Sequence, residues 1–356
     1  MKTWDVIIIG GGIIGLSLSI ALRKRGATVL IVERGEPGRE ASHAAAGMLA
    51  DFPLEMPPAL QALASASARM YPEFVHELQD ESGISADLRD QGTILLATPE
   101  QLREHPALIT ESPLPSPLSE LEPELGHVNL PAVYLKERSV DPRHVTAAAV
   151  AAARHRGVDF SSGDQVLAVE VGDGKATGVR TNKTRFAAGT VINCAGAWAG
   201  QIGPHAFPTR PVKGQMLCVA MPDKNLLRHV VRTPEVYLIP RSDGRLLIGA
   251  TQEEAGYDKQ TVPETIQKLR AAAMNLVPKL ADARILEAWA GLRPGTPDAL
   301  PILGVTNTPG YFVATGHFRD GILLAPVTAR VMAQIVTGRP PQFGVSPFSA
   351  ARFSIL

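Results

Sequence analysis

Asp5-Val6-Ile7-Ile8-Ile9-Gly10-Gly11-Gly12-Ile13-Ile14-Gly15 is the stretch that decides the fold. Asp5 to Ile9 is a short, mainly apolar run, the pattern of a strand buried on both faces. Gly10, Gly12 and Gly15 follow in G-x-G-x-x-G spacing and open a helical stretch to about Lys24. Thr28 to Val32 reads as a second apolar strand, with Glu33 at its end. This layout suits a dinucleotide. One glycine makes the tight turn, one lets the backbone reach the pyrophosphate, and one lets helix and strand pack closely. The helix N-terminus faces the phosphates and Glu33 accepts from the ribose hydroxyls.

A competing reading is a signal peptide or membrane anchor, because Val6 to Leu22 carries no charge. The glycines in that window, Asp5 before it and the lack of a small-residue cleavage pattern argue against export. The window is also short of the about 20 apolar residues that a spanning helix needs. The 356 residues carry 35 acidic and 35 basic side chains, so no net charge marks a nucleic-acid or lipid partner. That length suggests about two domains. Cys194 and Cys218 are far apart, which indicates neither a disulfide framework nor a zinc site and fits a reducing cytoplasm. The nine histidines show no ligand spacing, so no metal is expected.

Further along, Glu40 to Asp51 is either a flexible loop or a small-residue surface (Ala44, Ala45, Ala46, Gly47) on which a flat ligand lies. Pro58 to Gln79 has helical periodicity, Asp87 to Ala97 reads as a turn and strand, and His105 to Glu124 as surface loop and short helix. Asp141 and Pro142 suit the N-cap and first position of an Ala-rich helix to Gly157. Strands follow near Gln165–Val171 and Gly178–Thr181, then a buried strand from Thr190 that ends in Ala-Gly. Tyr237–Pro240 and Arg245–Thr251 pair across Ser242-Asp243-Gly244. Val262 to Leu280 is an amphipathic helix, Gly310–Thr315 a buried strand and Ile322–Val336 a last helix. Nucleotide-type elements at the start, middle and end, with β-rich segments between, imply two domains interwoven in sequence.

Several stretches resemble the glycine oxidase and D-amino acid oxidase branch of the FAD-dependent amine oxidoreductases. They are V-I-I-I-G-G-G-I-I-G with Glu33, A-S-H-A-A-A-G-M-L (41–49), A-G-L-R-P-G-T-P-D (290–298) and G-H-F-R-D-G-I-L-L-A-P (316–326). S-V-D-P-R-H-V (139–145), N-C-A-G-A-W (193–198), P-V-K-G-Q (211–215) and Y-L-I-P-R (237–241) add to it, so the resemblance spans essentially the whole chain. The 41–49 and 316–326 segments look most like the thiamine-pathway glycine oxidases. The implied fold class is α/β, a Rossmann-like FAD-binding domain interwoven with a β-sheet-rich α+β substrate domain. Residues 1–85, 140–210 and 290–356 would form the discontinuous FAD-binding domain, and 86–139 and 211–289 the substrate-binding domain.

The resemblance implies non-covalent FAD, in keeping with a C-terminal segment free of cysteine, although a histidine linkage stays open. Its contacts would be Gly10, Gly12, Ile13, Ile14, Gly15, Glu33, Arg34, Ala41, Ser42, Ala46, Gly47, Met48, Val166, His317, Phe318, Arg319, Asp320, Gly321, Ile322 and Leu323. The amides of Gly321, Ile322 and Leu323 at the last helix start would lie by the flavin N1–C2=O edge. Arg293, in the L-R-P-G turn, matches the carboxylate-binding arginine, a role suited to a planar fork; its alternative is a surface arginine beside that turn. Tyr237 matches a substrate-orienting tyrosine, or is a half-buried strand tyrosine. Arg319 is a polar group at the site mouth or a salt-bridge partner. Glu235 and Gln252 depart from the His and apolar residue expected in the pocket, and otherwise read as solvated strand-end residues.

The implied reaction is oxidative deamination of glycine or a small D-amino acid to the imino acid, with molecular oxygen as acceptor. The alternative is an FAD-dependent dehydrogenase of a secondary amine such as sarcosine or proline, with a non-oxygen acceptor. An NAD(P)-dependent dehydrogenase or a non-catalytic dinucleotide sensor is disfavoured by the late Gly-rich turn and final helix. No nucleic-acid or membrane partner is expected, and a homo-oligomer is compatible with the reading.

Overall fold

The computed structural model describes residues 3–52 and 56–353. Its central sheet has six strands in the order Ile302–Val305, Tyr311–Thr315, Thr190–Asn193, Val6–Ile9, Val29–Glu33 and Asp159–Ser162. Val6 to Ile9 pairs in parallel with Val29–Val32 on one side and Thr190–Asn193 on the other. Only Ile302–Val305 runs antiparallel within this sheet. The period-2 alternation of a strand divides the isoleucines between two layers. Val6 and Ile8 face the helices Ile13–Arg23, Pro58–Ser82, Pro142–His155 and Gly321–Val336. Ile7 and Ile9 face a small sheet of Val166–Gly172, Lys175–Thr181 and Arg185–Ala187. Both layers being covered explains why the strand is an unbroken apolar run, each buried isoleucine contributing about 1.5–3 kcal/mol.

A second sheet has seven strands in the order Arg284–Gly295, Arg210–Ala220, Arg245–Gly249, Tyr237–Pro240, Val230–Arg232, Thr93–Leu96 and Ala132–Leu135. Leu217, Val219, Leu238 and Ile248 turn to one side and pack with Leu269 and Ala273 of the Pro263–Leu276 helix. Met216, Gly249, Tyr237 and Arg232 are directly opposite one another on successive strands, so they share the other face. That face looks toward the carboxyl ends of the six-stranded sheet.

Three local expectations need correction, and one strand was not expected. Arg293 lies in no turn: it belongs to the twelve-residue strand Arg284–Gly295, where it pairs with Val212. L-R-P-G read as a turn, but Pro294 lies opposite Pro211 on an edge strand, where a missing N–H is tolerated. The helix from Val262 ends at Leu276 and gives way to a 3-10 turn at Pro278–Asp282. The strand from Arg245 stops at Gly249. Asp159–Ser162 is an edge strand that its polar sequence did not reveal. Asp141 caps the Pro142–His155 helix as expected, its Oδ1 accepting from the Arg143 and His144 amides at 2.9 and 3.3 Å. Among the described residues no helix is long and apolar enough to cross a membrane.

Candidate active site

A cavity of about 510 Å3 runs from the carboxyl ends of Val6–Ile9 and Val29–Glu33 to the seven-stranded sheet. This is where open α/β sheets bind ligands. The glycine turn builds its first wall. Gly10 has φ +103° and its hydrogen faces the Cys194 carbonyl, where a Cβ would sit at 2.6 Å. Gly15 lets the helix lie on the strand, since a Cβ there would meet the Gly10 carbonyl at 2.2 Å. A Cβ on Gly12 would come no nearer than 3.4 Å to a neighbour, Ser42 Oγ, and would project into the cavity. No side chain of Gly12 caps the helix; Ser42 Oγ instead accepts from the Ile13 amide at 2.9 Å. The helix start therefore presents backbone N–H groups to the space Gly12 leaves open.

Glu33 is 8% exposed, and both of its oxygens serve the turn. Oε2 accepts from the Gly11 amide and Oε1 from the Gly35 amide, each at 2.8 Å. A carboxylate has about four acceptor sites, so capacity remains on the cavity side. Arg34 stacks on Trp198, 3.5 Å from its ring centroid, and bonds Glu40 at 2.6 Å. Trp198 in turn stacks on Tyr257. Nothing in the sequence singled out that aromatic stack.

Ala44, Ala45, Ala46, Gly47 and Met48 form the middle wall. Gly47 has φ +82°, and a Cβ there would meet the Val140 carbonyl at 2.0 Å. Arg241, 1% exposed, supports the wall from behind by donating from Nη2 to the Ala46 carbonyl at 2.5 Å. On the opposite side, His317 and Phe318 (φ +46°) lead into the Gly321–Val336 helix. Asp320 does not cap it with its side chain, and Leu324 N to Asp320 O, 2.8 Å, is an opening helical bond. The preceding amides are not used inside the helix.

The far end carries the polar chemistry. Arg293 Nη1 donates to the Thr251 carbonyl at 3.0 Å and the Lys213 carbonyl at 3.4 Å. Its guanidinium lies over Gly214, where a Cβ would be 2.2 Å from Nη1. The Tyr237 ring lies likewise over Gly249, where a Cβ would be 2.8 Å from the ring. Tyr237 donates only to the soft Met216 sulfur at 3.6 Å. Burial pushes the phenol up, and the Arg293 and Arg319 guanidiniums offset this only in part. The group is thus a protonated donor at neutral pH. Burial pushes His317 down to about 3; its Nε2 lies 3.1 Å from Thr328 Oγ1. Neither group is a base poised near neutrality.

Of the residues proposed from sequence, Arg293, Tyr237 and Arg319 all line this cavity, as do Gly10, Gly12, Ile13, Ile14, Glu33, Arg34, Ala41 and Ser42. So do Ala46, Gly47, Met48, Val166, His317, Phe318, Asp320, Gly321 and Ile322. Gly15 and Leu323 lie behind it, packed against the strand and buried at 1% respectively. Exposed Arg319 places its guanidinium 5.4 Å from the Phe318 ring centroid. Glu235 is exposed at the cavity rim, whereas Gln252 points to solvent outside it. Sequence reasoning missed Gly214, Gly249 and the Thr251 carbonyl. A glycine inside a strand is a signal for close approach, but what approaches is set by the fold. Among the described residues no cluster could hold a metal ion.

An elongated ligand with a phosphate-bearing middle and a flat ring fits these walls: open amides at the glycine turn, a carboxylate for hydroxyls, and small residues for the ring. The comparisons with known proteins agree. Residues 5–335 match the family described as DAO, FAD dependent oxidoreductase. The chain is 35% identical over 364 residues to the bifunctional protein ThiO/ThiG of Trichormus variabilis, covering 99% of this chain and 55% of that protein. It thus spans about half of that relative's length. It is 33% identical over 362 residues to the glycine oxidase of Pseudomonas aeruginosa, 97% and 98% of the two chains. The crystal structure of glycine oxidase from Geobacillus kaustophilus superimposes with a TM-score of 0.91 at 33% identity, over 99% of each chain.

Proposed function

This chain belongs to the family of FAD dependent oxidoreductases, with FAD as its cofactor, and from that premise we propose that it oxidises glycine or a small D-amino acid. The products are the imino acid, which water hydrolyses to a 2-oxo acid and ammonia, and hydrogen peroxide from oxygen. The observation that carries this reading is Arg293. Its guanidinium is held by two backbone carbonyls beside the Tyr237 phenol, at the end of the cavity away from the dinucleotide turn.

When bound, FAD supplies the acceptor for the Cα hydrogen with its bonding pair, and the route of those electrons to oxygen. The chain's own residues then have definable tasks. Arg293 binds the substrate carboxylate through its free edge, and its two carbonyl partners orient it without cancelling its charge. Tyr237 exchanges a weak sulfur partner for a substrate oxygen, which fixes the second angle. Tyr237 and His317 are shifted away from neutrality in the directions that make them poor bases, which suits an amine that enters unprotonated. The amides at the Gly321–Val336 helix start would hold part of the cofactor and favour negative charge there. The open edge of Glu33 would hold the ribose hydroxyls.

Residues 1–85, 140–210 and 290–356 would hold FAD, and 86–139 with 211–289 the substrate. The Arg284–Gly295 strand would then carry Arg293 across that boundary. The buried, unpaired Cys194 and Cys218 suit a reducing compartment such as the cytoplasm. The test is a peroxide assay of the holoenzyme across glycine, D- and L-amino acids and sarcosine, with oxygen uptake followed in parallel. Peroxide from glycine or D-amino acids supports the reading. Turnover only with an artificial electron acceptor would make the protein a dehydrogenase, and no turnover of any amino acid would remove the substrate assignment.

A further inference from the structure

Gly214 and Met216 face the cavity, so by strand alternation Lys213 and Gln215 point to the back of the sheet. Both are buried there, at 2% and 0% exposed. A buried amide needs its hydrogen bonds, and Gln215 finds them in one short segment, residues 251–262. Its Nε2 donates to Glu253 Oε1 at 2.8 Å, and its Oε1 accepts from the Val262 amide at 2.7 Å. Its backbone N–H donates to Thr251 Oγ1 at 2.9 Å, and that hydroxyl donates onward to Glu253 Oε1. Lys213 adds an ion pair to Asp258 at 2.6 Å and a backbone pair with Glu253, both bonds 2.9 Å.

Thr251 straddles the sheet. Its hydroxyl is tied to this network at the back, while its carbonyl takes the Arg293 Nη1 hydrogen at the front. The second acceptor of Arg293, the Lys213 carbonyl, belongs to the same network. We infer that Gln215 is a positioning residue for substrate recognition: from the back of the sheet its side chain holds Glu253 Oε1, the acceptor of the Thr251 hydroxyl, and through the Thr251 carbonyl it sets the angle of the Arg293 guanidinium. The inference rests on the reading that Arg293 binds the substrate carboxylate.

The test uses the holoenzyme, with acetate as a probe whose binding perturbs the flavin spectrum. Gln215→Leu, Arg293→Lys and the double variant are compared, with the FAD dissociation constant of each apoprotein as a control. Gln215→Leu should weaken acetate about tenfold and raise KM more than it lowers kcat, a fraction of the loss that about 1 Å of misplacement causes. FAD affinity should stay within about twofold. In the Arg293→Lys background the same change should add almost nothing, since its effect runs through the guanidinium. Thr251→Val, which lacks only the hydroxyl, should act in the same direction and decides the matter if Gln215→Leu does not fold. Wild-type acetate affinity in Gln215→Leu, losses that multiply in the double variant, or an equal loss of FAD affinity would each overturn the inference. Wild-type acetate binding by Arg293→Lys would instead sink the carboxylate reading beneath it.

Discussion

Gly214→Ala displaces Arg293 without touching its charge. A Cβ built at Gly214 lies 2.2 Å from Arg293 Nη1, 2.4 Å from Nη2 and 2.5 Å from Cζ. Ordinary contact begins at 3.4 Å, so the guanidinium must withdraw by at least 3.4 − 2.2 = 1.2 Å. A shift of that size disturbs its 3.0 Å bond to the Thr251 carbonyl. Misplacing a binding group by about 1 Å costs about a hundredfold, or about 2.7 kcal/mol of barrier. The backbone at Gly214 is ordinary strand, paired with Gly291, so alanine introduces no torsional strain. Loss of glycine's unfolded-state entropy should even add about 0.4–1 kcal/mol of stability. The expected variant is therefore a well-folded, FAD-loaded protein with kcat/KM on its best amino acid down about a hundredfold. Steady-state kinetics, FAD titration and thermal melting measure the three quantities. Activity within about threefold of wild type, with the alanine confirmed in place, would refute the assignment of Arg293. A parallel collapse of FAD affinity would mean that the sheet moved and not the side chain.

Glu33→Gln should weaken FAD binding by about ten- to a hundredfold, because an amide NH2 must then face the Gly11 or Gly35 N–H; fluorescence titration showing wild-type affinity would contradict this. Tyr237→Phe removes a phenol whose partner is a sulfur at 3.6 Å, so stability should change by less than about 0.5 kcal/mol while kcat/KM falls about tenfold. An unchanged kcat/KM would return Tyr237 to a packing role. His317, held near 3 by burial against an ordinary 6.5, binds its proton more readily in the unfolded chain between those values. Its contribution to stability is complete above about pH 6.5 and is lost toward pH 3, with a slope of up to about 1.4 kcal/mol per pH unit. His317→Asn should flatten that acid limb in urea unfolding, and an equally steep limb would show that other groups set it.

The nucleotide half was legible because its rules are local. A buried strand, three spaced glycines and a terminal carboxylate each act within about 30 residues, so composition and spacing carry them. The substrate half was less so. Arg293 read as a turn residue because Pro294-Gly295 usually ends a strand, and only the edge position opposite Pro211 makes room for it. Gln252, by its place after G-A-T, read as either a pocket residue or a solvated strand-end residue, and it is exposed. In the fold the strand has ended at Gly249, and the chain turns the Thr251 carbonyl inward, leaving Gln252 outside. Gly214 and Gly249 matter through the side chains of Arg293 and Tyr237, which are 79 and 12 positions away in sequence, 293 − 214 and 249 − 237. No window along the chain contains the first of those pairs.

What marks Arg293 is the combination of its partners and its place in the cavity. Arg245 bonds Asp141 and Asp243, Arg156 bonds Glu77 and Glu81, Arg232 bonds Glu137, and Arg352 bonds Asp298. Each of those charges is answered within the protein. Arg293 instead bonds two backbone carbonyls and lies beside the Tyr237 phenol, and these neutral groups offer direction with only a partial charge. A half-buried cation so held still seeks a full counter-charge, which a ligand carboxylate in the cavity would supply. Arg241 is the instructive contrast. It too has a carbonyl partner, Ala46, and two of its nitrogens are buried without one. Yet it lies behind the cavity wall, and Asp141 and Asp87 stand near enough to raise its proton affinity against the burial that lowers it to about 10. Its charge can brace the wall but cannot touch what the wall encloses. An unanswered charge becomes a binding group only where it also faces open space, and of these two arginines only Arg293 meets both conditions.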